Sequence, residues 1–181
     1  KIALVATAYY YLSHAYHICG RFLDGWMRDG KYHFSDCSLA SAFVEQKKEN
    51  DLSVGLAKRY GFRSCDSVAE ALTLGTDRLA VDAVLLIGEH GDYPYNAKGQ
   101  KLYPRYEMFL KIVEVFEKSG KGVPVFNDKH LSYDRKKAFA MVETSRKLKF
   151  PLMAGSSLPV TWRQPDLELP LGTKIEEAML V

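Results

Sequence analysis

Three short runs of this chain are almost wholly apolar: Ile2 to Ala6, Val81 to Ile87 and Val123 to Phe126. A strand with apolar side chains on both faces is covered on both faces, as parallel strands are, whereas a sheet with one wet face would alternate. Parallel neighbours need long crossover connections, and stretches of helical period stand between these runs. The chain is therefore constrained toward alternating strands and helices, with a mainly parallel sheet in the middle.

Reading outward from these runs gives the remaining elements. Thr7 to Leu12 is a loop ending at Ser13, a good helix N-cap, and Ile18, Phe22 and Trp26 carry a helix from His14 to about Met27 that Asp29-Gly30 stops. Cys37 to Val44 is a strand. Asn50 or Asp51 then caps a helix through Leu52, Leu56 and Tyr60 that Gly61 ends. A short strand at Phe62 to Ser64 leads to Asp66-Ser67 and a small helix through Val68, Ala71 and Leu72. The long segment Gly88 to Pro104 has no sustained period, and loops of that length usually carry function. Helices at Tyr106 to Ser119 and Ser132 to Lys149 and a last strand at Pro151 to Ala154 complete the pattern. The expected fold is a Rossmann-like, doubly wound α/β domain over residues 1–163, with about six strands and helices on both faces. Residues 164–181 form an expected extended exit segment, with a strand at Lys174 to Val181, leading toward a second domain.

A length of 181 residues, 47% of them hydrophobic, is enough for one core. The 25 Lys+Arg and 22 Asp+Glu leave a charge of +3 and are interleaved, so no nucleic-acid surface is expected. No apolar run is long enough to span a bilayer, so no membrane partner is expected either. Cys19, Cys37 and Cys65 form no CxxC pair and read as reduced, packed thiols. The chain opens in an apolar strand without a basic leader, which favours the cytoplasm, although a trimmed N-terminus leaves room for an export signal. Nothing in the composition opposes a homo-oligomer.

In open α/β sheets, ligands collect outside the carboxyl ends of the strands, where the strand order reverses. The first such end, Thr7-Ala8-Tyr9-Tyr10-Tyr11-Leu12-Ser13-His14, lacks the glycines of GxGxxG. Thr7, Ala8, Ser13 and His14 are still candidates for cofactor binding, because a helix N-terminus offers unpaired N–H groups and a positive dipole end. Glu45 ends the second strand and is of the type that accepts hydrogen bonds from an adenosine ribose. Glu89 and His90 follow the fourth strand, and Asp128, Lys129 and His130 follow the fifth. Glu89 and Asp128 are read as cofactor contacts, and Lys129, His130 and His90 as catalytic groups, since such a set can transfer or position protons near neutral pH. Asp128 is expected to pair with Lys129 and keep it charged. The spacing of His14 and His17 is metal-compatible but lacks an HExxH context, so no metal site is assigned.

The order of elements, Val123 to Leu131, and Phe150 to Arg163 together resemble the oxidoreductases typified by glucose-fructose oxidoreductase and inositol 2-dehydrogenase, the Gfo/Idh/MocA family. Lys129 stands where that family has the lysine of its Glu-Lys-Pro motif, with Asp128 in place of the glutamate and His130 in place of the proline. The blocks GEHGDYP, GQKLYPRYE, VPVFNDKHLS and PLMAGSSLPVTWR resemble a bacterial branch of the family. The resemblance implies an N-terminal domain binding NAD or NADP, a C-terminal α/β domain as partner, and hydride transfer to or from a sugar or polyol as small-molecule substrate. The alternative is a non-redox, Rossmann-derived domain that binds or hydrolyses a small polar ligand, with a divalent metal at Glu89, His90 and Asp128 as one version.

Overall fold

The computed structural model describes residues 1–156 and 169–179; expectations for residues 157–168 and 180–181 lie outside the described residues. Six strands form one parallel sheet: β1 (Ile2–Ala6), β4 (Leu39–Val44), β5 (Arg63–Cys65), β6 (Ala83–Ile87), β7 (Val125–Asp128) and β8 (Leu152–Gly155). Their order is β5-β4-β1-β6-β7-β8. The chain builds outward from β1 on one side through β4 and β5, then returns to the other side through β6. The strand order therefore reverses between β1 and β6, and the fold is Rossmann-like, as the apolar runs predict.

Two cores lie on the two faces of this sheet. On one, α1 (His14–Leu23) and α2 (Ser53–Tyr60) bury Ala15, Cys19 and Ala57 against Leu4, Ala42, Val44 and Ile87. On the other, α3 (Val68–Thr73), α4 (Arg105–Ser119) and α5 (Arg135–Leu148) bury Leu72, Phe109, Ile112, Phe116 and Met141 against Val5, Val84, Leu86 and Val125. Alternate residues of β1 thus point into different cores, which is why the strand tolerates no polar position. Among the described residues, no helix is long and apolar enough to cross a membrane.

The structure corrects the sequence in three places. The first helix ends at Leu23, and Trp26 belongs to an antiparallel hairpin of β2 (Trp26–Arg28) and β3 (Lys31–His33). Gly25, at φ 76°, breaks the helix: its added Cβ would lie 2.2 Å from the carbonyl oxygen of His33. Asp29 and Gly30, both at positive φ, make the two-residue turn of the hairpin and do not cap a helix. The second correction is at the C-terminus, where residues 174–179 of the expected strand pair with nothing among the described residues and are exposed. Their apolar members, Ile175 and Met179, remain in solvent, so burial gives that segment no reason to extend along the sheet. Third, all three cysteines are free, and Cys19 and Cys65 are buried, but Cys37 is exposed.

Replacing Phe109 by Ala removes a fully buried ring between α4 and the sheet. It is expected to lower unfolding free energy by about 3–5 kcal/mol in a urea titration.

Candidate functional site

The loops after β1 and β6 meet because their strands are in register from Ile2↔Ala83 to Ala6↔Ile87. Thr7 is fully buried at this junction; its hydroxyl donates to the carbonyl of Glu89 at 2.7 Å. It therefore ties one loop to the other and offers nothing to the cleft. Ser13 is also buried and caps α1, its Oγ accepting from the N–H groups of Tyr16 and Tyr10, both at 3.2 Å. The N–H groups of His14 and Ala15 have no acceptor among the described residues. They remain at the positive end of the helix dipole.

Arg105, which sequence reasoning missed, is the center of the β6 side of the cleft. It opens α4 yet is 0% exposed. Its guanidinium bonds to the carboxylate of Glu89, its Nη1 lies 3.3 Å from Nε2 of His130, and it sits 5.1 Å over the ring of Tyr103. Gly88 makes room for it: a Cβ there would be 2.5 Å from Arg105 Cγ. A cation at the first turn of a helix opposes the dipole, so an arginine opening the apolar helix of Met108, Phe109 and Ile112 needs an anion nearby, and that was the available signal.

The second oxygen of Glu89 lies 3.6 Å from the ammonium of Lys129. Lys129 is thus paired with Glu89 and not with its sequence neighbour Asp128. Its φ of 59°, like the 71° of His90, is left-handed, a strained conformation that the surrounding contacts must hold. Asn127, fully buried at the end of β7, donates to the carbonyl of His130 at 3.2 Å and fixes the turn carrying these residues.

Asp128 pairs with His14 instead. The Nδ1 to Oδ2 distance is 2.6 Å, with the carboxylate side chain 6% exposed and the imidazole 29% exposed. The ring of His90 packs edge-on against His14 at 5.1 Å and against Tyr10 at 5.3 Å. Burial lowers the pKa of His90, and the neighbouring His14 lowers it further. Burial also lowers that of His130, followed by the Arg105 guanidinium.

Beside this cluster lies a cavity of about 320 Å³, lined in part by Ala8, Tyr10, Gln46, Asp51, His90 and Tyr103. Two of its lining residues carry buried polar atoms without a partner among the described residues, Oδ1 of Asp51 and Nε2 of His90. Gln46 fixes the cavity's outer loop by accepting from the N–H of Asp92 at 2.9 Å and donating to its carbonyl at 3.2 Å. Glu45, at the end of β4, is exposed and accepts a hydrogen bond from the Tyr93 hydroxyl.

Of the residues singled out in the sequence, Ser13, His14, Glu89, His90, Asp128, Lys129 and His130 form one contiguous group. Ala8 lines the cavity, Glu45 precedes its lining residue Gln46, and Thr7 lies beneath the group. Gln46, Asn127 and Tyr93 act through backbone and loop contacts that the sequence does not display. Among the described residues, no three His, Cys, Asp or Glu side chains gather as a metal site. The set Glu89, His90 and Asp128 is already divided between Arg105, Lys129 and His14.

No protein-family model and no curated protein matches the chain. Solved structures do. A probable dehydrogenase from Thermotoga maritima matches with a TM-score of 0.54 and 18% identity, covering 86% of this chain and 36% of that one. Biliverdin reductase from Synechocystis sp., solved with biliverdin and NADP+, matches with a TM-score of 0.51 and 14% identity over 84% of this chain and 36% of that one. The myo-inositol 2-dehydrogenase of Lactobacillus plantarum gives 0.50 and 15% over 86% and 36%. At 14–18% identity these matches show a shared Rossmann-like fold over 84–86% of the chain. The chain spans about 36% of the length of these solved chains.

Three variants and a pH scan test the site's energetics. Arg105→Met leaves Glu89 with only Lys129 and is expected to cost about 3–5 kcal/mol in urea unfolding. Gly88→Ala should destabilise in the same direction by displacing the same side chain. The lowered pKa values of His90 and His130 mean that the unfolded chain takes up protons first as pH falls. Both groups therefore contribute stability above about pH 6.5 that is lost as pH drops through their folded values. The melting temperature should fall from pH 7.5 to 5, and the double variant His90→Gln/His130→Gln should flatten that slope.

Proposed function

We propose that this chain is the nucleotide-binding domain of an NAD(P)-dependent oxidoreductase acting on a CH–OH group of a sugar or polyol, completed by a second domain of a longer protein. The observation that carries this is the convergence of the loops after β1, β4, β6 and β7 at the point where strand order reverses. A dinucleotide lies across that point in folds of this kind.

The residues present fit the adenosine half of such a cofactor. The 320 Å³ cavity is lined by Asp51 and His90, each with a buried polar atom that has no partner among the described residues, and Glu45, next to the lining residue Gln46, is assigned to the ribose hydroxyls. Ser13 caps the helix whose His14 and Ala15 N–H groups would face the phosphates, without the close backbone approach that a glycine turn allows. Bound nicotinamide would supply hydride acceptance. Lys129, paired with Glu89, acts as hydrogen-bond donor to the substrate hydroxyl and the nicotinamide ribose, while His90 and His130 wall the same side. A single Rossmann layer leaves the nicotinamide face open to water, which is the reason for assigning substrate enclosure to a further domain.

The two unpartnered atoms on residues lining the cavity also favour a second reading, a non-redox domain binding or hydrolysing a small polar ligand.

NADH and NADPH fluorescence titrations separate the two. Weak binding is expected, about tenfold weaker or more in Glu45→Ala from the loss of a charged hydrogen bond, with no sugar oxidation by the chain alone. Indifference to both nucleotides would shift the assignment to the polar-ligand reading, and turnover without a second domain would contradict the need for one.

A further inference from the structure

We propose that His14, held by Asp128, is the proton acceptor of this site, an inference that rests on the oxidoreductase reading. Oxidising a CH–OH group releases a proton as well as a hydride, and four cationic or imidazole side chains stand near enough to be considered. Lys129 is paired with Glu89 as an ammonium, with no lone pair to offer. His130 places Nε2 3.3 Å from Nη1 of Arg105, a group that only donates, so that nitrogen is already engaged as an acceptor. His90 has its Nε2 buried, with no partner among the described residues, so that nitrogen is not presented to a substrate hydroxyl.

His14 differs from all three. Its Nδ1 lies 2.6 Å from a carboxylate that is nearly buried, while its own ring is 29% exposed. An ionised carboxylate only accepts, so Nδ1 carries the hydrogen and Nε2 is left with the lone pair. A carboxylate at the far nitrogen also stabilises the imidazolium that forms when Nε2 takes a proton, the logic by which an acid orients a histidine base. Both residues are placed by the backbone: His14 is the first residue of α1 behind the Ser13 cap, and Asp128 is the last of β7, paired in the sheet with Gly155.

The step balances without any further group from the protein. The substrate O–H bond breaks and an Nε2–H bond forms on His14. The C–H electron pair would leave as hydride to the oxidised nicotinamide that such a cofactor would supply, as the carbon–oxygen double bond closes. The imidazolium, still hydrogen-bonded to Asp128, later returns the proton to water. His14 thereby touches the reacting hydroxyl, whereas Asp128 is a positioning residue.

The test needs no substrate. Imidazole ¹⁵N spectra of the wild-type chain are expected to show His14 as the Nδ1–H tautomer when neutral. Carbethoxylation by diethyl pyrocarbonate, followed peptide by peptide, should modify His14 at Nε2. In Asp128→Asn the amide can donate to Nδ1, so the hydrogen moves to Nε2 and the rate at His14 should fall at least tenfold, while His17 and His33 serve as internal references. An Nε2–H tautomer in the wild type, an inert His14, or equal reactivity in both proteins overturns the proposal, and the wild-type spectrum decides even if Asp128→Asn fails to fold. With the second domain supplied and NAD-dependent sugar oxidation measured, His14→Gln should lose about a hundredfold or more in kcat. Loss of less than twofold overturns the proposal. NADH titration of the wild type reports separately on the dinucleotide reading, since none of the tautomer or modification outcomes depends on nucleotide.

Discussion

The pairing of β1 with β6 sets the position of nearly everything that follows. Five residues on each strand, from Ile2↔Ala83 to Ala6↔Ile87, run parallel in the middle of the sheet with a core on either face. Neither strand can bear a polar side chain until it leaves the sheet, so polar chemistry begins abruptly at Thr7 on one and at Glu89 on the other. Parallel alignment makes both exits occur on the same edge. The hydrogen bond from Thr7 to the Glu89 carbonyl then fixes the two loops to each other within two residues of their strands.

On that edge the charges are arranged as a triad and a separate pair. Arg105 and Lys129 share Glu89, and His14 has Asp128. Burying a guanidinium is tolerable only with a carboxylate in contact, and Glu89 supplies it from the neighbouring loop. This division leaves Asp128 free of Lys129. A lysine paired with its own neighbour would have left His14 without an orienting partner, and the imidazole would be one more loop side chain.

The sheet was legible in the sequence because continuous burial writes itself as continuous apolar residues, and the caps at Ser13, Ser67 and Gly61 were legible because each satisfies or terminates a backbone locally. The hairpin at Trp26 to His33 was not. Its Trp26 continues the helical spacing of Ile18 and Phe22, so periodicity carries the helix too far, and the real stop lies in the conformation of Gly25. Within the site, residue types and strand ends located the cluster, but the partners were wrong. Sequence adjacency favours Asp128 with Lys129, while left-handed backbone at Lys129 turns the ammonium toward Glu89. Arg105 was hidden for the same reason: its partner is 16 residues away, across a loop without period.

The hairpin of β2 and β3 has a different relation to the rest of the molecule. It connects the far end of α1 to the start of β4, so it lies at the amino edge of the sheet, away from the cleft. Among the described residues it pairs only with itself, and Met27, Tyr32 and the adjoining Phe34 are exposed. Lengthening its turn at Asp29-Gly30 would add only the slowly growing entropy of closing a longer loop, because no strand of the main sheet would change register. Evolution can therefore vary the chain's length here, or attach a new recognition element, while the spacing between β1 and β6 that defines the cleft stays fixed.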